Sequence, residues 1–181
     1  MPRRTFGRIS IDAERLDRTC NVYFKWKDLN TYIRDNSHRG INMPDAISEP
    51  LGCFCLGLEW NRGSEAGDAT DPATGRKIEF KATSRFSGDL SSFGPDATFD
   101  NLVYLRFNLN DDLLYIYDLN INSTDFDLYP ANSTQTIGDQ KRQGRRPHVS
   151  LQKLFVNARS LEPDIVFDIR RQRITIDNRG R

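Results

Sequence analysis

Apolar and polar positions alternate most strictly along Lys77-Ile78-Glu79-Phe80-Lys81-Ala82-Thr83. A period of two predicts a strand with Ile78, Phe80 and Ala82 on one face and Glu79, Lys81 and Thr83 on the other. The turn-forming run Asp71-Pro72-Ala73-Thr74-Gly75 precedes it, so residues 63–84 read as a hairpin. Upstream, Leu16, Cys20, Tyr23 and Phe24 recur near helical spacing and predict a helix over 11–35, capped by Ser10 or Asp12. A second helix is expected from a cap at Ser48, through Pro50 in its first turn, to about Trp60. Leu51, Phe54, Cys55 and Leu58 make it apolar nearly all round, hence buried. Residues 101–107 and 113–118 predict two strands, each sheet position with one covered face, around the Asn- and Asp-rich turn 108–112. Residues 119–138 read as loop. Ser150 is placed to cap a short amphipathic helix carrying Leu151, Leu154, Phe155 and Ala158, and 165–176 reads as a terminal strand or hairpin.

At 181 residues these elements fit one domain, 1–181, with a helical region over about 1–40 and a core over about 41–181. Hydrophobic residues are 37% and charged residues 28%, polar for a globular chain but short of disorder. The net charge of +1 gives no global basic field, so any polyanion contact must come from segregated charge. Basic residues gather at Arg3, Arg4 and Arg8, over 141–146, and from Arg170 to Arg181, whereas acids collect around 96–127. Cys20, Cys53 and Cys55 lack the spacing of a zinc or redox site and read as reduced, buried side chains. No secretory leader, membrane span, internal repeat, phosphate-binding loop or dinucleotide fingerprint is legible, and a cytoplasmic protein is expected.

The hairpin adds chemistry to this frame. Glu79 and Lys81 point the same way from one strand, and Asp68 can fold back beside them with Glu65 close behind. Two converging carboxylates form a hard oxygen site suited to Mg²⁺, and a neighbouring ammonium can stabilise charge on a phosphate or orient the attacking water. Glu79 and Lys81 would also serve as an exposed ion pair of small energetic worth. Glu49 and Glu59 are further candidate acids. The aromatic run Tyr23-Phe24-Lys25-Trp26 is either core or a dimer surface.

At Asp68, Glu79 and Lys81 the sequence resembles the PD-(D/E)xK nuclease superfamily in the form used by type II restriction endonucleases. Gly67 stands where that pattern has proline. The run Glu65–Asp71 followed by Glu79-Phe80-Lys81 is similar to the small homodimeric enzymes cutting CAGCTG. The runs Ser91–Pro95 and Gly138–Pro147 resemble enzymes cutting within GCNGC. The resemblance implies an α/β (α+β) restriction-endonuclease-like core, a central mixed sheet flanked by helices. It implies that Asp68, Glu79 and the Phe80 carbonyl hold one or two Mg²⁺, with Mn²⁺ substituting and Ca²⁺ binding without turnover. Lys81 would activate water and Glu65 would be an additional acid. The expected reaction is hydrolysis of double-stranded DNA to 5′-phosphate and 3′-hydroxyl ends by a homodimer, whose functional partner is a cognate DNA methyltransferase.

Given that motif, the basic run is expected on DNA. Arg145 and Arg146 suit bidentate contacts to guanine, Gln140 and Gln143 suit adenine, and Lys141 and Arg142 suit phosphates. Arg85, Ser91 and Ser92 are candidate contacts on the loop after the hairpin, and His148 is a further one. Two alternatives stand beside this reading: a structure-specific repair or junction-resolving nuclease, and a DNA-binding protein without catalysis.

Overall fold

The computed structural model describes residues 7–63, 67–85 and 88–180, and the statements below concern those residues. A mixed sheet runs in the order β1-β2-β3-β4-β6-β7-β9-β10. Its strands are β1 (Arg8–Ile9), β2 (Glu59–Asn61), β3 (Ala69–Thr70), β4 (Lys77–Thr83), β6 (Asn101–Asn108), β7 (Leu113–Asp118), β9 (Ile165–Asp168) and β10 (Arg173–Asp177). β4 and β6 pair in parallel, and the remaining neighbours are antiparallel. The hairpin, the 101–118 strand pair and the terminal hairpin stand where their alternation predicts them. Ahead of the predicted helix, Arg8 and Ile9 extend the sheet against Trp60 and Asn61.

Helix α1 (Ala13–Asn36) is capped by Asp12, whose carboxylate accepts the Arg15 N–H at 2.8 Å. Helix α2 (Asp45–Leu56) differs from expectation at both ends. It starts three residues before Ser48 from Pro44, which offers no side-chain cap, and it stops at Gly57 in the left-handed region before the chain turns into β2. Pro50 is therefore inside the helix. Burial of Ile47, Leu51, Cys53 and Cys55 offsets the amide hydrogen bond a proline cannot make. A Cβ at Gly52 would lie 3.1 Å from side-chain carbons of Leu105 and Phe80, so its absence lets α2 settle directly on the sheet.

Two hydrophobic clusters sandwich that sheet. One joins Leu16, Tyr23 and Trp26 of α1 and Leu51 of α2 to Phe80, Leu105 and Phe107. The other joins Leu102, Tyr104 and Tyr117 to Phe93, Phe126, Ile137 and Phe155. Both faces of β6 are therefore covered, not one, because its alternate set includes Leu102 and Tyr104. Most of the second layer comes from stretches with no predicted helix or strand, which form α3 (Ser123–Phe126), α4 (Ile137–Arg142) and a two-stranded ribbon of β5 (Ser91–Ser92) and β8 (His148–Val149). The helix expected after Ser150 is present as a π-helix (Gln152–Asn157). Ser150 accepts the Lys153 N–H as expected, and Asp89 adds to that cap by accepting the Leu151 and Gln152 N–H groups. The three cysteines are buried and free of disulfides. No helix among the described residues is long and apolar enough to cross a membrane.

Asp112 ties the sheet to α1. It is buried, takes a φ of +55°, and accepts hydrogen bonds from Tyr23 Oη, Lys27 Nζ and Arg170. Burial alone would raise its carboxyl, but the bonds from Lys27 and Arg170 outweigh that and hold it below the ordinary value. A depressed carboxyl stabilises the fold above about pH 4, and the gain disappears as pH falls through the lower folded value. Asp112→Asn keeps a side chain that tolerates the left-handed backbone and removes only the charge. We expect it to cost about 1–3 kcal/mol at pH 7. Urea unfolding should show the gap to the parent protein narrowing at pH 3.

Candidate active site

The register of the hairpin builds the site. Ala69 lies opposite Ile78, which brings Asp68 alongside Glu79 at the edge of β4. The Asp68 N–H donates to the Ile78 carbonyl at 2.9 Å, and its Oδ2 accepts the Phe80 N–H at 2.7 Å. Asn61 holds the same loop from β2, its N–H donating to Asp68 O and its amide to Gly67 O. Gly67 has φ +80°, and a Cβ there would sit 3.0 Å from the Ile78 carbonyl. Proline, locked near −65°, cannot take that conformation, which accounts for glycine at this position. Lys81 Nζ donates to Glu79 Oε1 at 2.6 Å, with only 21% and 14% of the two side chains exposed. The structure thus brings Asp68, Glu79 and Lys81 together. Glu65 lies outside the described residues.

A third acid arrives from α2. Glu49 Oε2 accepts the Trp60 indole N–H at 2.6 Å. Burial, followed by the charge of Asp68, pushes its carboxyl up to about 8. Burial and then Glu79 push Asp68 up to about 6, against the opposing pull of the Phe80 N–H and Lys81. Glu59 sits in β2 opposite Thr70. A cleft of about 530 Å³ opens beside this centre, lined by Arg15, Glu49, Trp60, Arg62 and Asp68 among others.

Does this arrangement suit a metal? Among the described residues no group of three or more His, Cys, Asp or Glu is arranged to hold one. Mg²⁺ asks for less, since it is bound by one or two carboxylates and keeps several waters. Asp68, Glu79 and the Phe80 carbonyl supply hard oxygens. Burial gives most of the upward push on Asp68, and the part that comes from the charge of Glu79 is one a dication would relieve. The residues fit the ion.

The candidate DNA contacts converge in part. Ser91 pairs with Val149 and Ser92 with His148, so β5 and β8 join the loop after the hairpin to the end of the basic run. Arg145, Arg146 and His148 are exposed along this ribbon, as is Arg85 just past β4. Arg142 is exposed but paired with Asp139 at 2.6 Å, and Gln140 reaches Gln135. Two expectations need correction. Lys141, assigned to phosphate, is buried and paired with Asp127 at 2.7 Å, because α4 turns its side chain inward beneath Ala97. Ser91 is also buried, and only Ser92 of that pair is partly open. Trp60 and Phe93 escaped notice in the sequence. Trp60 stands at the end of a predicted helix and Phe93 on a predicted loop, where only the fold distinguishes a partner of a charged group from ordinary core.

A mixed α/β fold with an acid–acid–lysine centre and a basic ribbon is the frame of a nuclease, and sequence similarity gives the class: the chain is a type II restriction endonuclease and belongs to the Bsp6I restriction endonuclease family, which matches residues 11–158. It is 45% identical over 166 residues to the type II restriction enzyme Bsp6I of Bacillus sp. (strain RFL6), covering 92% of this chain and 95% of that protein. No solved structure matches the chain significantly.

Proposed function

We propose that this enzyme, as one endonuclease domain of PD-(D/E)xK type, performs Mg²⁺-dependent, sequence-specific hydrolysis of double-stranded DNA through Asp68, Glu79 and Lys81. The observation that carries the proposal is the meeting of these groups at one point of β4, with Asp68 anchored on the Phe80 N–H and Lys81 on Glu79. Asp68, Glu79 and the Phe80 carbonyl hold the ion, with Glu49 and Glu65 as supporting acids. Bound there, Mg²⁺ supplies positive charge against the charge that builds on the scissile phosphate. Mn²⁺ replaces it, and Ca²⁺ supports binding without cleavage.

Lys81 Nζ lies beside Glu79 and presents its remaining donors to the phosphate and the attacking water. Fixing both reactants saves the entropy of bringing them together. Attack in line displaces the 3′ oxygen, leaving 5′-phosphate and 3′-hydroxyl ends. The ribbon carries the readout. Arg145 and Arg146 take guanine edges of a GC half-site in a GCNGC-like sequence, His148 and Ser92 lie beside them, and Arg85 and Arg142 take phosphates. One centre cuts one strand, so two copies related by a two-fold axis cut both strands of a palindrome. A cognate DNA methyltransferase protects the same sequence in the host cell.

Digestion of phage DNA with Mg²⁺, followed by sequencing of fragment ends, tests this reading. Discrete fragments with common termini support it. Preferential cutting of nicked or four-way substrates would indicate a structure-specific nuclease, and no cutting with any divalent ion would leave a DNA binder. Arg145→Ala should lose about 1–3 kcal/mol of discrimination at a guanine position while keeping its melting temperature. Competition binding against singly substituted sites measures that loss, and unchanged selectivity would remove Arg145 from the readout.

A further inference from the structure

We propose that Phe93 is a positioning residue for Lys81 and makes cleavage depend on the seating of the β5–β8 ribbon; this rests on the role proposed above for Lys81. The Lys81 ammonium lies over the Phe93 ring, 5.0 Å from its centroid, while its other contact is the Glu79 carboxylate. An ammonium is held at a ring face by the ring's quadrupole, and more firmly where water is scarce. Phe93 is fully buried, so that side of the ammonium is dry. The ring is itself fixed, with its centroid 4.5 Å from that of Phe126 and 6.4 Å from that of Phe99.

What gives this contact a function is where Phe93 sits in the chain. It follows Ser92 directly, and its N–H donates to the Pro147 carbonyl at 3.1 Å, one residue before His148. The ring under the lysine therefore follows directly on β5 and is bonded to Pro147, between the exposed Arg145 and Arg146 and the exposed His148 that opens β8. A displacement of the ribbon moves the ring and, with it, the ammonium. On correct DNA the ribbon seats fully and Lys81 stands where the phosphate needs it. On a mismatched site the ribbon seats incompletely and the lysine is held off position. A phenylalanine that only filled the core would make no such demand.

Replacing Phe93 by phenylalanines of increasing ring fluorination keeps its size and shape while draining charge from its face. We expect the single-turnover cleavage constant to fall stepwise to about one tenth, equal to about 1.4 kcal/mol on the barrier. DNA affinity in Ca²⁺ and the melting temperature should remain unchanged. Phe93→Leu should cleave slowly and Phe93→Tyr should restore the rate. In the metal-free protein, the upfield ring shift of the Lys81 Cε protons should vanish in Phe93→Leu. The ratio of cleavage at the correct site to that at a one-base variant should narrow as fluorination rises. A flat rate series with the parent ratio, in a protein where Lys81→Ala is inactive, would overturn the inference alone. Cleavage by Lys81→Ala would overturn the reading on which it rests.

Discussion

Lys81→Ala is expected to lose cleavage by roughly 10²- to 10⁴-fold, the range expected when a positioned charge or proton-transfer group is removed. DNA affinity in Ca²⁺ should stay within a few-fold of the parent protein. The split follows from location. The ammonium touches Glu79 and Phe93 at the inner end of β4, whereas Arg145, Arg146 and His148 lie along the ribbon. Removing it also leaves Glu79 and Asp68 facing each other without a cation, so the metal-free fold should weaken. Lys81→Met, which keeps the apolar stem, separates that structural cost from the chemical one. If either variant cleaves at near-parent rate under single-turnover conditions, the lysine has no part in the reaction.

The centre was legible because its residues are local in sequence. A period of two fixes the faces of Ile78, Phe80 and Ala82 against Glu79 and Lys81, and a turn with Asp71 and Gly75 returns the chain through Asp68. Helix α1 was equally plain, since its buried stripe and Asp12 cap both lie within one element. Misreadings arose where tertiary contact decides. Ser48 resembles a cap, yet α2 begins at Pro44 because Ile47 must reach the sheet together with Leu51. Lys141 sits in the densest basic run, but the turn of α4 aims it at Asp127 instead of solvent. Charge composition marks such a segment as basic and says nothing about which side chain points inward. In the second layer only the helix after Ser150 carries a legible period, because α3, α4 and the β5–β8 ribbon are too short to show one and order by packing on Tyr104 and Tyr117. Phe93 belongs to that layer, so its contact with Lys81 had no signature in the sequence.

The aromatic run of α1 turned out to be core, since Tyr23 and Trp26 are buried, and the question of a dimer surface moves to the opposite side of that helix. Val22, Leu29 and Tyr32 are 48%, 51% and 69% exposed there. They are spaced seven and three apart, so they lie along one stripe of a helix about 36 Å long. Two copies placed antiparallel about a two-fold axis near Lys27 would set Val22 against the partner's Tyr32. The same operation sets Lys25 beside the partner's Asp28 and Arg18 beside the partner's Asp35. All four of these charges are exposed, and the stripe is complementary to itself in charge as well as in apolar contact. Leu29→Lys would set an ammonium against the partner's Lys25 at the centre of that seam, weakening association on the order of 100-fold. Because Leu29 is half exposed in the single chain, the fold should melt as before. Sedimentation equilibrium should then report a species near 20.8 kDa in place of one twice that mass. On supercoiled plasmid at limiting enzyme, the nicked circle should accumulate where the parent protein yields linear product, since a lone centre severs one strand. A Leu29→Lys protein that still sediments as a dimer would move the two-fold contact away from α1.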